Sequence, residues 1–173
     1  MSRKTEQLLG PVLYRDYSIG TLGLVDDGQG ISRVFFVGAG GTHGGPEGET
    51  PLTLWAAEEL DEYFSGRRKN FTVPLSPNGT QFQCMVWQAL RNIPYGQTRT
   101  YGEIAAAVGR PKAARAVGMA NHDNPLLILT PCHRVVGKSG ALTGFACGLE
   151  VKRRLLELEG VRLQEKEHPG NNE

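Results

Sequence analysis

A run of four apolar residues, Leu126 to Leu129, ends in Thr130-Pro131 and delivers Cys132, His133 and Arg134 in succession. A thiol beside an imidazole has the makings of a nucleophile and its base. The thiolate is the reactive form; a free cysteine ionises near pH ~8.5, and nearby cations or a base lower that value. His133 would take the proton directly or through a water, and a carboxylate elsewhere in the chain would orient the ring. Adjacent side chains on an extended segment point to opposite faces, which favours the bridging water. In the competing reading Cys132 is a small core hydrophobe and His133 a satisfied core imidazole. Against it, Pro131 fixes the backbone just before the thiol, and His133 and Arg134 stand where a core strand should stay apolar. Asn124-Pro125, a turn starter, opens the segment eight residues before the thiol. The pattern is that of a thiol held at the end of a rigid element.

The other candidate ligands do not assemble. Cys84, Cys132 and Cys147 are odd in number and irregularly spaced, with no C-x-x-C pair. This argues against a disulfide framework and for a reducing compartment. His43, His122, His133 and His168 form no metal-ligand pattern with them. No structural zinc and no cofactor are expected. The chain has no run of the ~18 apolar residues that a membrane helix needs, and its first residues lack the apolar core of a signal peptide. The expected location is the cytosol, or the nucleus in a eukaryote, with no membrane association. The loop GAGGTHGGPEG lacks the phosphate-cradle pattern G-x-x-x-x-G-K-[ST] and reads as a surface loop.

The elements that must position the thiol follow from periodicity. VLYRDY, IGTLGLV and ISRVFFV, between Val12 and Val37, read as strands, with DDGQG as a turn. Thr50-Pro51 is an N-cap and first helical residue. Leu52, Trp55, Ala56, Leu60 and Phe64 then recur at helical spacing up to Gly66. PLSPNG, Pro74 to Gly79, marks a boundary. Beyond it Thr80 with Gln83, and Thr100 with Glu103, are capping boxes. They open one helix through about Leu90 and a short second one closed by Gly109. A third helix, Ala113 to Ala120, follows at once and completes a helix-turn-helix candidate. LEVKRRLLELEG is an amphipathic last helix that stops at Gly160. The expected division is residues 1–78, a sheet-and-helix domain; 79–160, a mostly helical domain; and 161–173, a polar, disordered tail.

Charge follows the same division. Thr80 to Gly160 holds ten basic and five acidic side chains, whereas the residues before it hold seven and ten. A basic module on an acidic one is a modest nucleic-acid signal. The third helix, AARAVGMA, is nearly all small residues around one Arg. Small residues suit tight helix packing. They also suit close approach to a minor groove, which is only ~6 Å wide, with Ala114, Ala116 and Gly118 at the contact and Arg115 long enough to reach between the strands.

NPLLILTPCHRVVGKSGALTGFACGLEVKRRLLELEG, preceded by IPYGQTRTYGEIAAAVGRPKAARAVG, resembles the O6-alkylguanine-DNA alkyltransferase (methylated-DNA–protein-cysteine methyltransferase) family over about Thr80 to Gly160. The N-terminal part matches more loosely. The resemblance implies an α/β (α+β) fold: a small ribonuclease-H-like sheet-plus-helix domain, then a helical domain with a winged helix-turn-helix-like motif. It implies a DNA-repair protein that flips O6-alkylguanine, chiefly O6-methylguanine and also O4-methylthymine, out of duplex DNA. The alkyl group passes irreversibly to the protein's own cysteine, one turnover per molecule, in a chain expected to act as a monomer. Cys132 then matches the acceptor, His133 the water-mediated base, Glu159 its carboxylate, and Asn124 the brace of the active-site turn. Tyr101 matches the proton donor to the leaving guanine and touches the DNA backbone. Arg115 matches the residue that fills the space left by the flipped base. Val135 and Ala146 lie where the family reads the guanine edge, with Pro131 and Cys147 also lining the pocket.

Three positions depart from the family pattern: Cys147 at the pocket lip, Met119 in the third helix, and Asp123 beside Asn124. They bear on affinity and substrate breadth. A non-catalytic lesion-binding relative would lack the acceptor, and Cys132 is present. A transcription regulator would need several base-reading side chains on the third helix, which offers only Arg115. A Cys–His hydrolase would need an oxyanion hole, and no Gly-rich loop near the thiol supplies one.

Overall fold

The computed structural model describes residues 10–37, 45–145 and 147–163. Strands β1 (Leu13–Tyr17), β2 (Gly20–Asp26) and β3 (Ile31–Phe36) form an antiparallel meander, with Leu13 opposite Leu24 and Leu24 opposite Val34. The turn between β2 and β3 is tied by its own aspartates. Asp27 accepts from the Gln29 and Gly30 amides, and Asp26 from that of Gly28. Leu22, Leu24 and Val34 join the main core, while Val12, Val25 and Phe35 form a separate small cluster. Gly23 is required by this packing, because a Cβ there would lie 2.3 Å from the Phe35 ring.

Helix α1 (Pro51–Phe64) starts as expected, with Thr50 Oγ1 accepting from the Thr53 amide. Its buried stripe differs from the expected one. Thr53, Ala56, Ala57, Glu59, Leu60 and Tyr63 face inward, and Trp55 is 42% exposed. The indole N–H of Trp55 instead reaches Glu59 one turn on, at 2.8 Å. Apolar character alone had put the tryptophan on the core side; the small residues Ala56 and Ala57 take the tight position.

The connection after α1 runs beside β3, with Ile31 N–H donating to Pro74 O and Ser76 N–H to Ile31 O, both at 2.8 Å. Helix α2 (Gln81–Arg91) then opens on the Thr80/Gln83 capping box, and α3 (Tyr101–Ala107) on the Thr100/Glu103 box. Helix α4 (Ala114–His122) runs one half-turn past its expected end. The Trp87 indole on α2 ties the two helices by donating to Ala120 O at 2.8 Å. Past α4 the chain makes a 3-10 turn, Cys132–Arg134, and a two-residue strand β5 (Val135–Val136), parallel to β4 (Arg99–Thr100). Helix α5 (Leu149–Leu158) closes the fold, with Gly160 at φ 79° just beyond it. Leu155 and Leu156 of α5 are fully buried, on the order of 2 kcal/mol each.

The sheet reaches the reactive segment directly. Val34 N–H donates to Pro125 O at 2.8 Å, and Leu127 N–H returns to Val34 O at 3.3 Å. The run before the thiol is thus an extra bridge on β3. No helix among the described residues is long and apolar enough to cross a membrane. The expected disorder of the tail from 164 onward, and most of the Gly-rich loop, lie outside the described residues.

Candidate active site

Asn124 ties the turn that carries the thiol. Its side-chain amide donates to Thr130 O at 2.9 Å and Leu126 O at 3.2 Å, and its carbonyl accepts from Leu126 N–H at 3.0 Å. Ile128 inside the turn adopts φ 69°, a costly conformation for a β-branched residue. The turn is therefore held by its bracing rather than by local preference.

Cys132 follows at the start of the 3-10 turn, 4% exposed. Its carbonyl accepts from the Asn121 side chain of α4 at 3.4 Å. Burial pushes the thiol above its ordinary value; the Asn124 side chain, the Lys152 charge and the amides of Cys132 and His133 act the other way without reversing it. An ionised resting thiol was expected from the sequence. Burial instead favours the protonated thiol at rest, because the sulfur sits among packed groups where a charge is poorly solvated.

Behind it lies a closed polar cluster. His133 is fully buried, and its Nε2 is 2.7 Å from Glu159 Oε1. Arg134 grips the same carboxylate bidentately, Nε to Oε2 and an η-nitrogen to Oε1, each at 2.8 Å, and donates to Ile93 O at 2.7 Å. The Tyr63 hydroxyl donates to Oε1 at 2.7 Å. Burial by itself would raise Glu159. The hydrogen bonds and charges of His133 and Arg134 outweigh it and hold the carboxyl at about 2. His133 is driven down by burial, against the pull of Glu159 and with the help of the Arg134 and Lys152 charges. The carboxylate is already balanced by Arg134, so a neutral ring is the stable form. An acceptor opposite Nε2 assigns the proton to Nε2. Nδ1, which has no hydrogen-bond partner among the described residues, is then the basic nitrogen.

Lys152 of α5 is fully buried. Its ammonium donates to Val135 O at 2.5 Å and Thr143 O at 2.9 Å. Burial lowers it to about 8, with Cys132 opposing. Thr143 O also accepts from the Tyr101 hydroxyl at 3.2 Å. Tyr101, the first residue of α3, thus spans from α4 to the 143–145 segment; a Cβ built on Gly118 would lie 3.8 Å from its ring.

Helix α4 buries Val117, Ala120 and Asn121 and turns Arg115, Ala116 and Met119 outward, with Ala114 and Gly118 half-buried. Met119 is 65% exposed, so it thickens the outer surface. Asp123 is exposed beside His122, 3.3 Å away. Pro131 and Val135 are buried against the thiol segment. The Cys147 thiol is half-buried and pushed up to about 11, by burial and then by Cys132. Ala146 lies outside the described residues. Cys132, His133, Glu159 and Asn124 are thus brought together, Tyr101 stands at the edge of this group, and Arg115 lies on the exposed face of α4. An open groove of about 470 Å³ beside α2, lined among others by Cys84, Met85 and Val108, includes none of these residues.

Sequence reasoning gave no role to Lys152, Tyr63, Arg134 or Asn121. A lysine in step with Leu155, Leu156 and Glu159 on one helical stripe was the readable signal for the first. Tyr63 carried no such signal, because its partner is 96 residues away.

Residues 81–161 match the family model described as "6-O-methylguanine DNA methyltransferase, DNA binding domain", and residues 13–77 match its "ribonuclease-like domain". A methylated-DNA–protein-cysteine methyltransferase of Methanosarcina acetivorans is 59% identical over 105 residues, 61% of this chain and 67% of that protein. The constitutive enzyme of that name from Bacillus subtilis is 56% identical over 119 residues, 68% and 72% of the two chains. The crystal structure of Mycobacterium tuberculosis OGT in complex with DNA superposes with a TM-score of 0.80 at 45% identity, over 87% of this chain and 92% of that one.

Proposed function

This chain belongs to the 6-O-methylguanine DNA methyltransferase family, and from that premise we infer that Cys132 is the acceptor in a one-turnover repair of DNA. The protein is a methylated-DNA–protein-cysteine methyltransferase that repairs O6-methylguanine. The observation that carries the choice of acceptor is the 2.7 Å pairing of His133 Nε2 with Glu159, which leaves Nδ1 of the ring next to Cys132 in sequence free to take a proton.

The chemistry balances with these groups alone. The thiol proton passes to His133 Nδ1, directly or by way of one water. The sulfur attacks the O6-methyl carbon, the carbon–oxygen bond breaks, and its electron pair leaves with the guanine. Tyr101 supplies a proton toward N3 of the departing base, a contribution of about 10²–10⁴-fold for a well-placed general acid. The imidazolium formed is stabilised by Glu159, and the thioether is permanent. Burial of the resting thiol keeps it from reacting with stray electrophiles until a base occupies the site.

The target base must leave the duplex to reach a buried sulfur. Outward-facing Ala116 and half-buried Ala114 and Gly118 suit close approach to a groove, and Arg115 is the side chain that would occupy the stack. Intact-protein mass spectrometry after mixing with a duplex containing O6-methylguanine tests the assignment. One methyl mapped to Cys132, and none on Cys132→Ala, is the expected result; a methyl on Cys147, or binding without any mass gain, would overturn it. A duplex with O4-methylthymine in a parallel arm reads the breadth of the pocket.

A further inference from the structure

We propose that Tyr63 is a positioning residue for methyl transfer, acting from the N-terminal helix α1 through its hydrogen bond to Glu159. The proposal rests on the reading of His133 and Glu159 given above and extends it to a group 96 residues from the carboxylate it touches.

Glu159 is an awkward place for the carboxylate behind a base. It is the C-cap of α5, where the helix dipole disfavours a negative charge and the last turn is prone to fray. Every other strong donor to it, His133 and Arg134, comes from the same 3-10 turn as the thiol. Outside that turn, Arg134 is tied to Ile93 O at 2.7 Å and, Tyr63 aside, the carboxylate meets only the longer contact from the Gly96 amide, at 3.4 Å, among the described residues. The Tyr63 hydroxyl fixes the carboxylate to a different body. It is fully buried and donates at 2.7 Å to Oε1, the same oxygen that receives the imidazole. The ring cannot swing away, because it packs edge-on against Tyr95 at 6.2 Å and Phe64 at 5.3 Å, and against Phe71 at 5.5 Å. Tyr95 in turn lies under the Arg134 guanidinium at 5.7 Å and donates its hydroxyl to Leu158 O. Among the described residues the hydroxyl donates to one acceptor, the carboxylate that holds the His133 ring.

The electrostatic consequence has a definite sign. Oε1 is shared by Tyr63, His133 and Arg134, so each donor reduces the charge available to the others. The titratable and charged groups acting on the pair are Glu159 and Lys152 from α5, Arg134 and Cys132 from the turn, Tyr63 from α1, and Tyr95 after α2. Removing the phenol leaves more of the carboxylate charge facing His133 Nε2, which favours the imidazolium. The acid limb of the rate profile, which reports that ring, then moves to higher pH.

The experiment compares the full-length parent with Tyr63→Phe, which removes a single oxygen. Single-turnover methyl transfer from an O6-methylguanine duplex is followed from pH 5 to 9, and the His133 ring is titrated by nitrogen NMR in both proteins. In Tyr63→Phe the rate at neutral pH is expected to fall about 3–10-fold and the acid limb to move up by roughly half a pH unit, as loss of one hydrogen bond to a charged group implies. The His133 titration is expected to move by the same amount, with duplex affinity unchanged. A profile that overlays the parent's, or a Tyr63→Phe chain that loses its fold, overturns the proposal; in the second case the hydroxyl serves folding and not the base. Absence of transfer by the parent itself would instead refute the assignment of Cys132.

Discussion

Asn124 and Lys152 show how single side chains set the reactivity of a thiol that the fold buries. Asn124 closes a turn containing a positive-φ isoleucine and also draws the Cys132 thiol downward. Asn124→Ala would strand the Leu126 amide and leave Thr130 O with the Cys132 amide alone. The expected loss is about 1–3 kcal/mol of stability, read from urea unfolding, together with slower methyl transfer, because the sulfur loses a hydrogen bond that favours its ionised form. Unchanged transfer in a destabilised Asn124→Ala protein would assign the residue to the fold alone. Lys152 does the complementary work on the other side. It draws in the carbonyls of Val135 and Thr143 while placing a cation near the sulfur. A carbonyl accepts two hydrogen bonds, so the Lys152 contact is compatible with the proposed reading of a guanine edge by Val135 O.

At the scale of elements, the proposed DNA contact divides between α3 and α4. Tyr101 is the first residue of α3 and donates to Thr143 O, and α4 turns Arg115 and Ala116 outward with Ala114 and Gly118 half-buried. Arg115 is exposed and touches nothing essential to the core, so Arg115→Ala should leave the unfolding midpoint within ~0.5 kcal/mol of the parent's. Its expected effect is on transfer from duplex DNA, which should slow at least about tenfold, given that filling a vacated base position offsets an unstacking cost of a few kcal/mol. Transfer from a single-stranded oligonucleotide, whose base needs no extrusion, should slow much less; equal losses on both substrates would contradict the assignment. These helices were readable because their signals are local: Thr80 with Gln83, Thr100 with Glu103, and Gly109 and Gly160 at the exits. The orientation of α1 was misjudged because hydropathy ranks Trp55 above Ala57, whereas packing selects the small residue. The β4–β5 pairing had no signal, since two strands of two residues owe their existence to the turn between Pro131 and Val135 and not to β-propensity. The cysteine, its neighbouring imidazole and Asn124 were legible from spacing. Tyr63 and Lys152 were not assigned roles, because only the folded chain shows which acceptors they meet.

Considered whole, the molecule stabilises itself with the same groups to which the proposed chemistry falls, and this makes its stability depend on pH in a definite direction. His133 is held neutral in the fold, below its ordinary value. As the pH drops below about 6.5 the unfolded chain takes up a proton that the folded chain refuses, and stability declines. Glu159 is held at about 2 against an ordinary 4.5. Its contribution is complete above 4.5 and is lost as the pH falls through that interval to 2; over such a gap linkage gives a loss on the order of 3 kcal/mol. Lys152, lowered from 10.5 to about 8, works at the other end. Between those values the unfolded chain binds more protons, so stability gains with rising pH there. Tyr63, pushed above its ordinary value by burial and then by Glu159, reverses the trend once the unfolded phenol ionises above pH ~10. The expected profile rises from acid through neutral into alkaline solution and turns over at pH ~10. Urea midpoints at pH 3, 5, 7, 9 and 11 would trace it, and Glu159→Gln should flatten the limb below 4.5 while lowering stability at pH 7. A midpoint that stays level from pH 7 down to 4 would mean that the ring binds its proton as freely folded as unfolded, and that the neutral imidazole assigned behind Cys132 does not exist in solution; one that stays level from 4.5 down to 3 would refute the carboxylate in the same way.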